Sequence, residues 1–171
     1  CALMNQLDNG LYQHSPLDPT AWGRGNGFAA LGASICLSLL SSDIEGYKEA
    51  QQSFVRQIEA LVKHQDATGS WHQVVDHPES YPEFTSTCMI GSAILIGIKK
   101  GVLRCEDYRQ VIVQAKQATI RRIAPNGFIN DVCTGTGKQK NLRGYLDREA
   151  IQGRNDRAGA MALLFLTLLH Q

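Results

Sequence analysis

Charge of either sign is scarce, and so is anything a membrane would need. The chain carries 17 Lys and Arg against 16 Asp and Glu, a net charge of +1. That leaves no electrostatic case for nucleic acid or for an anionic membrane surface as a partner. No apolar stretch reaches bilayer length, and no basic-then-apolar signal pattern is seen. The five cysteines include no C-x-x-C pair, which argues against a disulfide framework and against a metal site. Cys36 and Cys88 fall inside apolar helical patterns and read as small core residues. Reduced thiols fit a cytoplasmic setting. The chain begins with Cys1 rather than Met, and it reads as a piece of something longer. With 43% hydrophobic residues it can bury a real core. Residues 1–171 are expected to form a single helical-hairpin domain.

What the sequence does contain is a repeat. Three loops look alike: "DNGLYQHS" from Asp8, "ATGSWHQVV" from Ala67 and "PNGFINDV" from Pro125. Their glycines, Gly10, Gly69 and Gly127, are 59 and then 58 residues apart. An aromatic follows each within two residues: Tyr12, Trp71 or Phe128. The intervening segments alternate in charge. Residues 25–42 and 86–98 are uncharged, as are residues 158–169, whereas residues 47–62 and 107–122 are amphipathic. A helix apolar on every side is surrounded by protein, and an amphipathic one faces water. Inner helices therefore alternate with outer ones. Inner-to-outer connections are short and outer-to-inner ones are long, so every long loop lies at one rim. The fold class predicted is all-α, an α/α toroid of helical hairpins of the (α/α)6-barrel type, with this chain supplying about half. Short ribbons are expected in "HQVVD" and "FINDV".

The long-loop rim is where a toroid places its pocket. It receives His14, Trp22, Arg24, Trp71, His72, Gln73, Tyr81, Glu83, Arg148, Arg154 and Arg157, together with the carboxylates Asp76, Asp131 and Asp156. Flat rings and forked hydrogen-bonding groups of this kind suit sugars. The stretch "AWGRGNGF" (residues 21–28) sets Arg24 among three glycines at a helix start. A cation there opposes the helix dipole. Two readings stand. Arg24 forks onto a bound carboxylate, or it pairs with a rim carboxylate while the glycines serve helix contact. His14 is either a pocket residue or a loop residue bonded to backbone. Trp71 is either a sugar platform or a plug over its hairpin. In "YPEFTSTCM" (residues 81–89), Thr85 and Ser86 are expected N-caps, and Tyr81 and Glu83 residues facing the site. "CTGTGKQK" (residues 133–140) lacks the spacing of a phosphate loop.

The runs "HSPLDPTAWGRGNGF", "HQDATGSWHQVVD", "YPEFTSTCM", "GIKKGVL" and "DVCTGTG" resemble the unsaturated glucuronyl and rhamnogalacturonyl hydrolases, glycoside hydrolase families 88 and 105. The resemblance covers nearly the whole chain. It implies an (α/α)6 toroid acting on oligosaccharides that end in a 4,5-unsaturated uronic acid. It implies an aspartate that protonates the C4=C5 vinyl ether and helps water add at C5, with no metal or organic cofactor. By position it places His14, Trp22, Arg24 and Phe28 at the substrate, Phe28 standing where the family usually has tryptophan. It also implies that the acid/base aspartate comes from a half of the toroid preceding this stretch. The catalytic residue is therefore unassigned, and three possibilities are carried forward: part of a toroidal glycosidase, a non-catalytic module that binds an acidic oligosaccharide, or a helical interaction protein. Uncovered flanks of the inner helices predict self-association or a partner chain completing the toroid.

Overall fold

The computed structural model describes residues 5–135 and 137–170. Five longer helices carry the architecture: α1 (Gly23–Leu39), α2 (Tyr47–Val62), α3 (Phe84–Lys99), α4 (Cys105–Arg121) and α6 (Asp156–Leu168). A short helix, α5 (Leu142–Leu146), lies between strands β1 (Ile129–Cys133) and β2 (Ala150–Gly153). The strands pair antiparallel. The ribbon expected in "FINDV" is present, whereas "HQVVD" contributes only isolated bridges, Trp22 to Val74 and His72 to Pro82. Among the described residues no helix is long and apolar enough to cross a membrane.

The helices that carry the uncharged segments, α1, α3 and α6, pack side by side, with α3 in the middle. The amphipathic helices α2 and α4 lie outside α1 and α3 as the second arms of hairpins. Burial follows this order. Helix α3 has a neighbour on each flank and is almost wholly enclosed. Helices α1 and α6 have one inner neighbour each, and they expose Phe28, Ile35 and Leu39 on α1 and Leu163 and Leu164 on α6. Arg24, the only charge on α1, is itself buried.

The three repeated loops share one backbone turn. Gly10, Gly69 and Gly127 have φ of +91°, +89° and +80°, values that glycine adopts at no steric cost. Each glycine amide donates to the carbonyl three residues earlier, on Leu7, Asp66 or Ala124, at 2.8–2.9 Å. That earlier residue donates its own amide to the carbonyl four residues on, at Leu11, Ser70 or Phe128, again at 2.8–2.9 Å. The first two loops sit on the backbone of an outer helix. A Cβ on Gly10 would lie 2.9 Å from the Arg56 carbonyl oxygen of α2, and one on Gly69 2.3 Å from that of Gln114 in α4. Gln6 and Gln65 rivet these contacts. Each side-chain amide donates both to its loop glycine carbonyl and to the outer helix, at Ser53 or Val111. Gly127 has no such helix beneath it among the described residues.

The α3–α6 crossing depends on a missing side chain. A Cβ on Gly91 would lie 2.5 Å from the Phe165 ring, whereas Gly159 of α6 has open space around its Cα. Gly91→Ala is expected to destabilise the fold by about 2 kcal/mol through overpacking. Gly159→Ala is expected to stabilise it by up to about 1 kcal/mol through helix propensity. Thermal melts of the two variants beside the parent check both signs.

Candidate functional site

Arg24 and Glu83 meet inside the protein where the N-termini of α1 and α3 converge. Both side chains have no exposed surface, and Nη2 lies 3.6 Å from Glu83 Oε1. Two buried charges cost several kcal/mol each unless hydrogen bonds replace water, and here they do. Arg24 Nε donates to Thr85 Oγ1 at 2.9 Å, Nη1 to the Thr134 carbonyl at 3.1 Å, and Nη2 to the Cys133 carbonyl. Glu83 accepts from the amides of Thr85 (3.0 Å), Ser86 (2.6 Å) and Cys133 (2.9 Å), and from the Thr85 hydroxyl (2.8 Å). Glu83 is thus the N-cap of α3, in place of the expected Thr85 and Ser86. Its carboxylate sits at the positive end of the α3 dipole.

The glycines around Arg24 are explained by packing. A Cβ on Gly23 would lie 2.2 Å from the His72 carbonyl oxygen, one on Gly25 3.0 Å from the Trp22 ring, and one on Gly27 2.9 Å from Met89. The Gly23 amide donates to the Gln73 carbonyl at 2.8 Å. Asn26, fully buried, exchanges two 2.8 Å hydrogen bonds with the Tyr12 backbone. Of the two readings of Arg24, the structure has the second: the guanidinium pairs with Glu83 and does not reach solvent.

Above this hub lies a cluster of rings. His14 packs on Trp22 with centroids 4.4 Å apart. Its Nδ1 is 2.7 Å from the hydroxyl of the fully buried Tyr145. The guanidinium carbon of Arg24 stands 6.0 Å from the Trp22 ring centre. His14 is half-buried, and it borders a depression of about 200 Å³ shared with Asn5, Tyr12, Gln13, Gly25 and Ala29. Burial, then the charges of Lys138 and Arg148, hold His14 below its ordinary pKa, so the ring is neutral near pH 7. Asp76, Asp131 and Asp156 do not line this depression. Asp131 is held by Arg122 at 3.0 Å, and Asp156 lies 3.8 Å from Arg154.

The remaining expectations divide. Trp71 is the plug: it has no exposed surface, and its Nε1 donates to the Leu61 carbonyl at 2.7 Å, so it offers no face to a sugar. Phe28 is 45% exposed and lines a larger apolar groove of about 690 Å³ along α1 and α2, which also includes Tyr12 and Ala29 of the His14 depression. Tyr81 is half-buried. Burial, then Cys133 and Glu83, push its hydroxyl well above the usual tyrosine range, so it remains a donor. Its hydroxyl, Nε1 of Trp22 and both amide atoms of Gln73 are buried without a hydrogen-bond partner among the described residues. His72 is clamped between Asp66 and the Ser80 carbonyl. Tyr145, hydrogen-bonded to His14, is a neighbour of the site that sequence reasoning missed. No group of three or more His, Cys, Asp or Glu among the described residues could hold a metal ion.

Comparison with known proteins places this geometry in context. The model of Glycosyl Hydrolase Family 88 matches residues 8–170. The chain is 32% identical over 161 residues to the unsaturated rhamnogalacturonyl hydrolase YesR of Bacillus subtilis (strain 168), covering 93% of this chain and 43% of that protein. Its fold is similar to that of a possible member of the GH105 family from Klebsiella pneumoniae subsp. pneumoniae MGH 78578, with a TM-score of 0.89 and 26% identity over 98% of this chain and 46% of that one. A possible GH105 member from Salmonella enterica subsp. enterica serovar Paratyphi A str. ATCC 9150 gives a TM-score of 0.86 and 27% identity, with 98% and 47% coverage. The chain thus spans about half the length of these relatives, and the fold is an α/α toroid of which it covers about half.

Glu83→Gln replaces an acceptor of four donors by an amide that carries donors of its own, and it leaves Arg24 buried without a counter-charge. It is expected to cost about 3–5 kcal/mol of stability, measured by urea unfolding.

Proposed function

The chain belongs to glycosyl hydrolase family 88, and on that footing we propose that its rim binds oligosaccharides ending in a 4,5-unsaturated uronic acid and takes part in their hydrolysis. The observation that carries this reading is the half-buried His14, stacked on Trp22 and bordering a depression of about 200 Å³ at the loop rim. Such a depression suits one sugar ring. The neutral His14 ring exchanges a hydrogen bond with a sugar oxygen, and Phe28 lies where a second ring would pass along α1. Trp22 supports His14 from beneath, and Tyr81, whose hydroxyl is buried, and Arg24 hold the rim together without touching substrate. The relative named as an unsaturated rhamnogalacturonyl hydrolase favours a pectin-derived uronate. The free thiols of Cys36, Cys88, Cys105 and Cys133 support a cytoplasmic setting.

The same reading assigns a partner. The groove beside Phe28 is also lined by Gly32, Cys36, Leu37, Leu40 and Ile44, an apolar surface of the kind that docks another helix. Leu163 and Leu164 expose the corresponding flank of α6, and the third loop glycine lacks the outer helix that the first two have. Further hairpins, from a second copy or a partner chain, cover these flanks and close the toroid. The general acid is assigned to that complement. Sedimentation equilibrium is expected to show concentration-dependent association of the isolated chain, and a monomer at high concentration overturns the self-association branch.

Titration calorimetry with an unsaturated rhamnogalacturonyl disaccharide tests the sugar reading. Binding is expected, and His14→Ala is expected to weaken it about tenfold, the worth of one strong hydrogen bond. Loss of the double-bond absorbance on incubation reports turnover. Absence of both heat and turnover overturns the assignment; binding without turnover retains the site and denies the isolated chain catalysis.

A further inference from the structure

Tyr145 carries a hydroxyl that the fold buries and satisfies in one particular way. The residue belongs to the short helix α5, which Asn141 caps, its side chain accepting from the Gly144 amide at 3.0 Å. Tyr145 has no exposed surface, and it packs with Trp22, Val74 and Cys133. Its hydroxyl meets two groups. The Gln139 amide donates to the oxygen at 3.3 Å, and Nδ1 of His14, 131 residues away in the sequence, lies 2.7 Å from it. Gln139 rests against α5 itself: a Cβ on Gly144 would lie 3.1 Å from the Gln139 Cβ, so the bare backbone there lets the two segments touch.

Counting protons separates the two ways of pairing phenol and imidazole. A phenol has one proton to give and lone pairs to accept with, and a neutral imidazole has one N–H. If that N–H were at Nδ1, the Tyr145 oxygen would accept from both Nδ1 and Gln139. Its own proton would then be buried with no acceptor among the described residues, a costly state that folded proteins avoid. With the Tyr145 proton directed to Nδ1, every group is satisfied. The amide donates to the phenol, the phenol to the imidazole, and the single ring proton goes to Nε2. Nε2 makes no hydrogen bond among the described residues, and it is not sealed from solvent. Its N–H is therefore open to a ligand at the depression that His14 borders, and packing on Trp22 at 4.4 Å holds the ring in place.

We propose that Tyr145 is a positioning residue: its hydroxyl donates to Nδ1 of His14, locks the ring as the Nε2–H tautomer, and so gives the rim a hydrogen-bond donor of fixed identity for an acceptor oxygen of the bound sugar. The tautomer stands on the hydrogen-bond geometry, and its use by a ligand rests on the sugar-binding reading of this rim. The opposite tautomer would present a lone pair at Nε2 and favour ligand groups that donate. Tyr145 is enclosed and meets no ligand, so it acts through His14 alone.

The test uses the full chain with isotope-labelled histidine. Nitrogen NMR near neutral pH reads the tautomer, because a protonated and a bare imidazole nitrogen resonate far apart. In the parent, Nε2 of His14 is expected at the protonated position and Nδ1 at the bare one, with a scalar coupling between Nδ1 and the Tyr145 hydroxyl proton. Tyr145→Phe keeps the buried ring and removes the hydroxyl, and melts establish that it is folded. Its two His14 nitrogen resonances are expected to move toward each other, while those of His64, beyond the end of α2, stay where they are. Calorimetry with the unsaturated rhamnogalacturonyl disaccharide supplies the ligand half. Tyr145→Phe is expected to weaken binding several-fold, less than His14→Ala does. The double variant is expected to bind no more weakly than His14→Ala alone, since the hydroxyl works through the ring. The lock is overturned if Nδ1 carries the proton in the parent, which decides the matter even where Tyr145→Phe fails to fold. It is equally overturned if the folded variant leaves the His14 nitrogens unmoved, or if the two substitutions weaken binding additively. A locked tautomer in a chain that neither binds nor turns over the disaccharide sustains the positioning role and removes the proposed function. Binding by a chain whose His14 carries its proton on Nδ1 does the reverse.

Discussion

The rim is organised by one buried ion pair. Arg24 comes from the first turn of α1, and Glu83 caps α3. Between them they engage Thr85, Ser86, Cys133 and Thr134. Two inner-helix termini and the end of β1 are thereby tied to one point. The geometry answers the cost of burying charge with fixed hydrogen bonds, and it places the carboxylate where the helix dipole favours it. The guanidinium sits where its own helix dipole disfavours it, and the partner charge, the Thr85 hydroxyl and two carbonyls hold it there. Such an arrangement is all-or-none: either member alone is an unpaired buried charge. The ring cluster of Trp22, His14 and Tyr145 rests on this hub, so its position depends on the pair.

Much of the architecture could be read from charge alone. The alternation of uncharged and amphipathic segments identified inner and outer helices, because a helix surrounded by protein cannot carry solvated groups. The three glycine loops were also visible, because a left-handed turn admits few residues other than glycine and the spacing was nearly constant. Arg24 shows where such reading stops. Its sequence context favoured an interior pair and a bound anion equally, since both answer the same electrostatic problem. Only the placement of Glu83, 59 residues later in the sequence, decides between them. Tyr145 lay in the polar stretch "NLRGYLDR", which carries no periodicity, and its burial comes from packing with Trp22, Val74 and Cys133, residues distant in the sequence. Trp71 was ambiguous for the opposite reason: an indole suits a sugar face and a core equally well, and here the Leu61 carbonyl satisfies its N–H.

The repeat also explains the uneven burial of the inner helices. Helix α3 has all that a toroidal hairpin needs: an inner neighbour on either flank and an outer helix behind. Helices α1 and α6 have the same uncharged composition but one inner neighbour each, so apolar side chains remain at their outer flanks. Composition was set by a closed ring, and exposure reflects the part of it that this chain covers. The loop at Gly127 makes the same point through the backbone. Its turn reproduces that of Gly10 and Gly69, which press against outer-helix carbonyls, yet its own seat is bare among the described residues.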